Sequence, residues 1–124
     1  MNSAELEQIA ERLFAAFVAH DLDLVQSMLT PDATMSQNGA GGTFAAARPM
    51  LEGITAVLGN HHYEDVRRVT GDHAVVEEHR AVSITPTGHA VNLAACVVVR
   101  VNDAGLITSI DEYVDLSTFP TPSG

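Results

Sequence analysis

The fold of this chain is decided by two stretches of sequence, AVVEEHRAVSIT at residues 74–85 and VNLAACVVVRV at residues 91–101. Both alternate in side-chain character with a period of two, which predicts β-strands. The turn sequence PTG at residues 86–88 lies between them and would join them as antiparallel neighbours. Alternation of the same kind occurs at His62–Val69 and at Leu106–Leu116. We therefore predict an antiparallel meander of four strands.

The sequence before these strands has helical periodicity. Apolar residues recur at helical spacing from Ala4 to Ala19, which predicts a first helix, and a second is expected from Leu22 to the neighbourhood of Pro31. A third helix is predicted to begin at Pro49, after a short strand at Thr34–Gln37 and a flexible loop at Asn38–Gly42. Helices followed by a run of strands are typical of an α+β fold.

Length and composition limit the class of protein. The 124 residues fit one domain, predicted at residues 1–119 with a flexible tail at residues 120–124. Sixteen acidic residues against six basic ones argue against nucleic acid and anionic membranes as partners. The single cysteine, Cys96, excludes an intramolecular disulfide, and the acidic N-terminus lacks the basic start of a signal peptide. These features predict a cytoplasmic protein.

The parity of the strands places ionisable residues among apolar ones. In residues 74–85 the even positions are the more apolar, so we expect this face to point to the core and His79 to lie on the outer face. The inner face would then carry Glu78 and Arg80, and the last strand would add Glu112. Buried charges require partners, and two carboxylates can share one guanidinium. These three residues predict either a structural ion network or an acid–base site.

Three segments carry a resemblance to a known superfamily. They are ATMSQN at residues 33–38, PTG followed by Asn92-Leu93, and IDEYVDL at residues 110–116. With the order of helices and strands, they resemble the NTF2-like, or SnoaL-like, superfamily. The resemblance implies a cone in which N-terminal helices pack on a curved, mostly antiparallel sheet and enclose an apolar pocket. Within the superfamily the chain is most similar to limonene-1,2-epoxide hydrolases, over residues 17–119.

The resemblance to these hydrolases implies roles for five residues. The hydrolases hold a water molecule through a Tyr and an Asn of one strand, and Ser36 and Asn38 stand at those places. Their base is an Asp on the last strand, where this chain has Glu112. Their Arg and their general acid lie two residues apart, and here Glu78 and Arg80 occupy those places with the charges exchanged.

Three functions are compatible with these residues. The first, which the resemblance favours, is hydrolysis of a small hydrophobic epoxide by a water that Asn38 and Ser36 hold. Glu112 would be the base and Glu78 the acid. The second is a SnoaL-like or ketosteroid-isomerase-like isomerase or cyclase, in which Glu112 or Glu78 removes a carbon-bound proton and Arg80 stabilises the enolate. The third is a protein that binds a hydrophobic ligand without catalysis.

The predicted pocket has an apolar wall and takes a small hydrophobic substrate. No metal or cofactor is expected, since His61 and His62 are adjacent on a strand and point to opposite faces. The outer face of the strand at residues 91–101 is apolar enough to predict a homodimer through this face. The wall residues expected from the helix and strand faces are Phe17, Val57, Val82, Leu93, Ala95, Val114 and Phe119.

Overall fold

Helices and strands occupy most of residues 1–120, the part of the chain that this computed structural model describes. The predicted α+β class is confirmed. Of the predicted tail, residues 121–124 lie outside the described residues. The helices are α1 (Ser3–Val18), α2 (Leu22–Ser27) and α3 (Phe44–Leu58), and the strands are β1 (Leu29–Gln37), β2 (Ala40–Thr43), β3 (His61–Gly71), β4 (Ala74–Ile84), β5 (Ala90–Val101) and β6 (Ile107–Val114).

The strands form one curved, unclosed sheet in the order β2-β1-β6-β5-β4-β3. Neighbouring strands are antiparallel except β1 and β6, which are parallel. Helix α1 covers one face of the sheet, called the inner face here, and its buried Leu6 and Leu13 join Val97, Val99 and Ile110 in the main core. The predicted arrangement of N-terminal helices on a mostly antiparallel sheet is confirmed.

Helix α3 begins earlier than predicted. Its first turn is capped by Thr43, whose Oγ1 accepts a hydrogen bond from the Ala46 N–H at 3.2 Å. Pro49 therefore lies inside the helix and not at its start. The hydrogen bond that proline cannot donate would have gone to Ala45, which is exposed and can bind water instead. Among residues 1–120, no helix has the length and apolar character that a membrane crossing requires.

The predicted flexible loop at residues 38–42 is a tight β-hairpin. Asn38 and Gly39 both have positive φ, 51° and 86°, as the two central residues of a type I′ turn do. After this turn β2 pairs with the end of β1, and Gly41 lies opposite Ser36. Asn-Gly is a strong sequence signal for such a hairpin, so the prediction could have been made from these two residues.

We expect Gly41→Ala to lower the free energy of unfolding by about 1–3 kcal/mol. A Cβ at Gly41 would lie 2.0 Å from the Met35 carbonyl oxygen, so the backbone of the hairpin would have to move. Gly42→Ala is the matched control, because a Cβ at Gly42 meets no atom within 4 Å. Urea denaturation of both variants measures the difference. Equal stability of the two would show that the hairpin adjusts without cost.

Strand β4 turns the opposite face to the core from the one predicted. Glu77 and His79 are buried, whereas Glu78 is exposed and Arg80 is partly exposed. Paired residues of neighbouring strands share a face, and His79 lies directly opposite Ala95. Because Ala95 is on the inner face of β5, as predicted, His79 is an inner residue as well. Glu78 and Arg80 therefore belong to the outer face, and the prediction for all three residues of β4 was wrong.

Candidate active site

A cavity of about 190 Å³ lies between the inner face of the sheet and helices α1 and α3. Two of the seven predicted wall residues are elsewhere. Val82 lies on the outer face of β4. Val57 is exposed, because one residue along a helix turns the side chain by about 100° from Leu58, which does line the cavity. The five predicted residues that line the cavity are Phe17, Leu93, Ala95, Val114 and Phe119.

One wall of the cavity holds Glu112 and Gln37. They are paired in the parallel register of β1 and β6, and Gln37 Nε2 donates a hydrogen bond to Glu112 Oε1 at 3.0 Å. Both side chains line the cavity, as the inner-face prediction for Glu112 requires. Among residues 1–120 no cationic side chain forms an ion pair with this carboxylate.

Two strands away, the inner face carries a buried carboxylate–imidazole pair. Glu77 Oε2 lies 2.6 Å from His79 Nδ1, and the side chains are 1% and 2% exposed. When Glu77 is ionised and the imidazole is neutral, the carboxylate can only accept, so the imidazole carries its hydrogen on Nδ1 and keeps a lone pair on Nε2. His79 lines the cavity, and its Nε2 has no hydrogen-bond partner within residues 1–120. The pair can therefore act as a base toward a bound ligand.

Arg68 holds the other side of the Glu77 carboxylate. It lies opposite Glu77 in the pairing of β3 with β4, and its Nε donates to Glu77 Oε1 at 2.6 Å. Its Nη1 also lies 3.5 Å from a carboxylate oxygen of Glu11 on α1. A buried carboxylate is tolerated only with such partners, so Arg68 accounts for the burial of Glu77.

The two carboxylates belong to a single row of paired residues across the sheet. Adjacent strands are about 4.8 Å apart, so the backbones of Glu77 and Glu112, with β5 between them, are separated by about 10 Å. Val97 lies between them on the same face, and of the three residues Val97 and Glu112 line the cavity. The row, from β3 to β1, consists of Arg68, Glu77, Val97, Glu112 and Gln37.

Tyr63 adds a hydroxyl group to the cavity wall. Its ring stacks on the His79 ring with 4.1 Å between centroids, and Phe14 contacts both rings edge-on. Burial, together with the charges of Glu112 and Glu77, raises the pKa of Tyr63. The phenol is therefore protonated at neutral pH and can donate a hydrogen bond to a ligand in the cavity.

His61 is a second buried imidazole of the cavity wall. Its Nε2 lies 3.3 Å from the Tyr63 hydroxyl, and its ring stacks on that of His20 with 5.7 Å between centroids. Burial, helped by the neighbouring His20 and His79, lowers the pKa of His61 to about 4. His61 is therefore neutral at neutral pH. When it carries its hydrogen on Nε2, it donates to the Tyr63 oxygen and leaves the phenol hydrogen for a ligand.

We expect the stability of the protein to fall as the pH drops from 6.5 toward 4. Over this interval the unfolded chain takes up a proton at His61 that the folded chain does not bind, which favours unfolding. The shift corresponds to a loss of about 3 kcal/mol once the pH is below 4. Urea denaturation across this interval should show a smaller decline for His61→Gln than for the wild type. His62→Gln, the exposed neighbour, is the control, and a wild-type decline in both variants would contradict this role of His61.

Two predicted catalytic residues of β4 form ion pairs on the outer face. The Glu78 carboxylate lies 3.4 Å from the Arg67 Nε. Arg80 donates to Asp65 at 2.8 Å and to Glu64 at 3.1 Å. These ion pairs satisfy the charges that the prediction had placed in the pocket. Neither residue lines the cavity.

The two predicted water-holding residues, one in β1 and one in the turn that follows it, are also directed elsewhere. Ser36 donates to Asp111 Oδ1 at 2.7 Å on the outer face. Asn38 donates from Nδ2 to the Val114 carbonyl at 3.0 Å and accepts from the Val114 N–H at 2.8 Å, so its amide clamps the hairpin to β6. Gln37, between them, lines the cavity.

The cavity thus combines a polar strip with an apolar wall. Of these polar residues, Glu112 was predicted from the sequence. His79 was missed because the parity of β4 was reversed, and Gln37 because β1 was not paired with β6. Among residues 1–120 no group of three or more His, Cys, Asp or Glu side chains is placed to hold a metal ion. What the arrangement offers is proton transfer between a ligand and the polar residues His79, Glu112 and Tyr63.

A family model accounts for most of this chain. The model of the SnoaL-like domain matches residues 10–110. The chain belongs to the SnoaL-like domain family. The matched region runs from α1 into β6 and includes both members of the Glu77–His79 pair. No curated protein matches this SnoaL-like domain.

Solved structures share the fold of this SnoaL-like domain at low sequence identity. AclR, a candidate hydroxylase from Streptomyces galilaeus, has a TM-score of 0.82 and 16% identity, over 94% of this chain and 79% of its own. A candidate polyketide cyclase from Xanthomonas campestris has a TM-score of 0.81 and 19% identity, over 94% of each chain. An NTF2-like protein from Burkholderia xenovorans has a TM-score of 0.75 and 20% identity, over 95% of each chain. These similarities establish the NTF2-like fold, and the narrower resemblance to limonene-1,2-epoxide hydrolases stays a hypothesis.

Proposed function

We propose that this SnoaL-like domain is an isomerase or cyclase that transfers a proton beside the carbonyl group of a small hydrophobic molecule. The observation that carries the proposal is the buried Glu77–His79 pair, whose imidazole lines the same apolar cavity as Glu112. A neutral imidazole oriented by a carboxylate is a common general base. The name of one solved neighbour, a candidate polyketide cyclase, agrees with this class of chemistry.

In the proposed reaction His79 Nε2 takes a proton from the carbon next to the carbonyl group, and the electron pair of that bond enters the enolate. The resulting imidazolium is stabilised by Glu77. The Tyr63 hydroxyl donates to the enolate oxygen, where negative charge develops. In an isomerase the imidazolium returns the proton to a different carbon. In a cyclase the enolate carbon attacks a second carbonyl group, and the imidazolium protonates the alkoxide that forms.

Glu112 has a separate part in this scheme, because it lies two strands from His79. Gln37 holds its Oε1, and the apolar wall strengthens any hydrogen bond that the carboxylate accepts. A hydroxyl group of the substrate would donate to Glu112 and place the acidic carbon near His79. Positioning of this kind accounts for much of the rate acceleration of many enzymes.

Epoxide hydrolysis fits the same cavity less well. Its scheme needs an acid and a guanidinium beside Glu112, whereas Glu78 and Arg80 form their ion pairs on the outer face. It also needs a free amide to hold water, whereas Asn38 uses both ends of its amide on the backbone of β6. The reaction proposed above requires none of these three residues, because Tyr63 takes the enolate-stabilising role that was predicted for Arg80.

The test follows exchange of a carbon-bound proton, which every version of the proposal shares. Cyclohex-2-enone and 4-hydroxyacetophenone are incubated with the protein in D₂O, and loss of their α-protons is followed by NMR. Limonene oxide is tested for diol formation in parallel. We expect exchange that is faster than the background and no diol. Diol without exchange would establish the hydrolase instead, and binding with neither reaction would establish a ligand-binding protein.

We also propose that the outer face of the sheet binds a second copy of this chain. Val69, Ile84 and Tyr113 are exposed on this face by 70%, 65% and 55%. The face also carries both signs of charge, as in the pair of Arg100 with Asp111 at 2.8 Å. A face with apolar residues and charges of both signs can pair with itself about a twofold axis.

The dimer is tested by light scattering after size-exclusion chromatography. Val98→Glu puts a charge in the middle of the outer face and is expected to convert a dimer into a monomer, because a buried unpaired charge is costly. Val57→Glu, on the exposed side of α3, is the control and should leave the dimer intact. A wild-type protein that is monomeric at high concentration would exclude this interface.

A further inference from the structure

The charge of the cavity wall restricts what can bind there. Glu112 is the one carboxylate that lines the cavity, and no lysine or arginine among residues 1–120 lines it. The nearest guanidinium in the same row, that of Arg68, is bound to Glu77 and Glu11. A ligand carboxylate or phosphate would therefore meet an uncompensated negative charge in apolar surroundings, where charges interact more strongly than in water.

The size of the cavity sets a second limit. Pockets for drug-sized ligands usually measure about 300–1,000 Å³, and an apolar cavity of about 150 Å³ takes up benzene. This cavity, at about 190 Å³, is only somewhat larger than the cavity that takes up benzene. It can enclose one ring with short substituents. The four fused rings of a steroid or of a large aromatic polyketide exceed it.

We propose that the substrate is a one-ring carbonyl compound of about eight to eleven non-hydrogen atoms that carries a hydroxyl group and no negative charge. This inference rests on the proposed function, which supplies the carbonyl group. The hydroxyl donates to Glu112, the carbonyl oxygen accepts from Tyr63, and the ring contacts the apolar wall.

The experiment measures binding of three phenyl compounds that do not react, by isothermal titration calorimetry. The first, 4-propylphenol, supplies a single ring and a hydroxyl group that can donate to Glu112. The second, 4-propylbenzoate, keeps the ring and adds a negative charge. The third, estradiol, keeps the phenol and adds three rings. We expect 4-propylphenol to bind, and each of the others to bind at least roughly tenfold more weakly.

The Glu112→Gln variant shows whether the charge or the shape of a ligand determines how tightly it binds. The variant should bind 4-propylphenol more weakly, because an amide accepts a weaker hydrogen bond than a carboxylate, and 4-propylbenzoate more tightly than the wild type does. Estradiol should bind as poorly as before. Circular dichroism checks that the variant is folded.

The possible results test this inference separately from the proposed function. Estradiol that binds as tightly as 4-propylphenol would overturn the size limit. Benzoate that binds equally well to the wild type would overturn the charge limit. Neither result depends on turnover. The proposed function fails separately, if 4-propylphenol binds as expected and no ketone exchanges its protons.

Discussion

His79→Gln is expected to lower the rate of carbon-bound proton exchange by roughly 10²- to 10⁴-fold, the usual contribution of a positioned general base. Glutamine keeps a polar group near Glu77 but has no nitrogen that accepts a proton at neutral pH. The dissociation constant of 4-hydroxyacetophenone should change little, because the apolar wall and Glu112 contact the ring and the hydroxyl group. Initial exchange rates by NMR, together with calorimetric binding, separate the two effects.

The control for this variant is His89→Gln. His89 lies outside the cavity, where its Nε2 is 2.9 Å from the Thr118 carbonyl oxygen, so the exchange rate should stay at the wild-type value. Glu112 is the alternative candidate for the base. If His79→Gln exchanges as fast as the wild type and Glu112→Gln does not exchange, then Glu112 is the base and the two residues have the opposite roles.

The register of β4 against β5 could have been predicted from the turn that joins them. The Thr85 N–H donates to the His89 carbonyl at 2.9 Å, so the five residues from 85 to 89 close the hairpin. Closure at these two residues pairs odd positions of β4 with odd positions of β5. Since the odd positions of β5 are all apolar and were correctly placed inside, the odd face of β4 had to be inside too.

Counting apolar residues on β4 alone failed for a physical reason. The count assumes that buried polar residues are too costly, and this holds only where they have no partner. Glu77 has two partners, His79 on its own strand and Arg68 on β3. The partner on β3 depends on a pairing that is interrupted by a bulge between Glu64 and Arg67, and the sequence of β4 contains no sign of it.

The inner face of β6 was easier to predict, because the alternation of apolar and polar residues in its own sequence is sufficient to identify it. Glu112 and Val114 were predicted to face inward, and both line the cavity. Gln37 shows the limit of local patterns. It reaches Glu112 only because β1 runs parallel to β6, a contact between residues 75 positions apart. Short segments determine which side of a strand is apolar, whereas the polar constellation depends on long-range pairing.

Arg68→Met is expected to lower the free energy of unfolding by about 3–5 kcal/mol, because it leaves a buried carboxylate without its cation. Glu77 is 1% exposed, so water cannot replace the lost guanidinium without opening the core between α1 and the sheet. Methionine keeps much of the length of the arginine stem. The effect therefore measures the loss of charge compensation more than the loss of packing.

Arg67→Met is the matched control, one residue away on the same strand. Arg67 is 79% exposed and pairs with Glu78, which is 54% exposed, at 3.4 Å. Exposed pairs of this kind contribute about 0–1 kcal/mol, so urea denaturation should separate the two variants clearly. Adding Glu77→Gln to Arg68→Met removes the unpaired charge and should recover part of the loss. If Arg68→Met were no worse than Arg67→Met, the buried Glu77 carboxylate would not depend on Arg68 to compensate its charge.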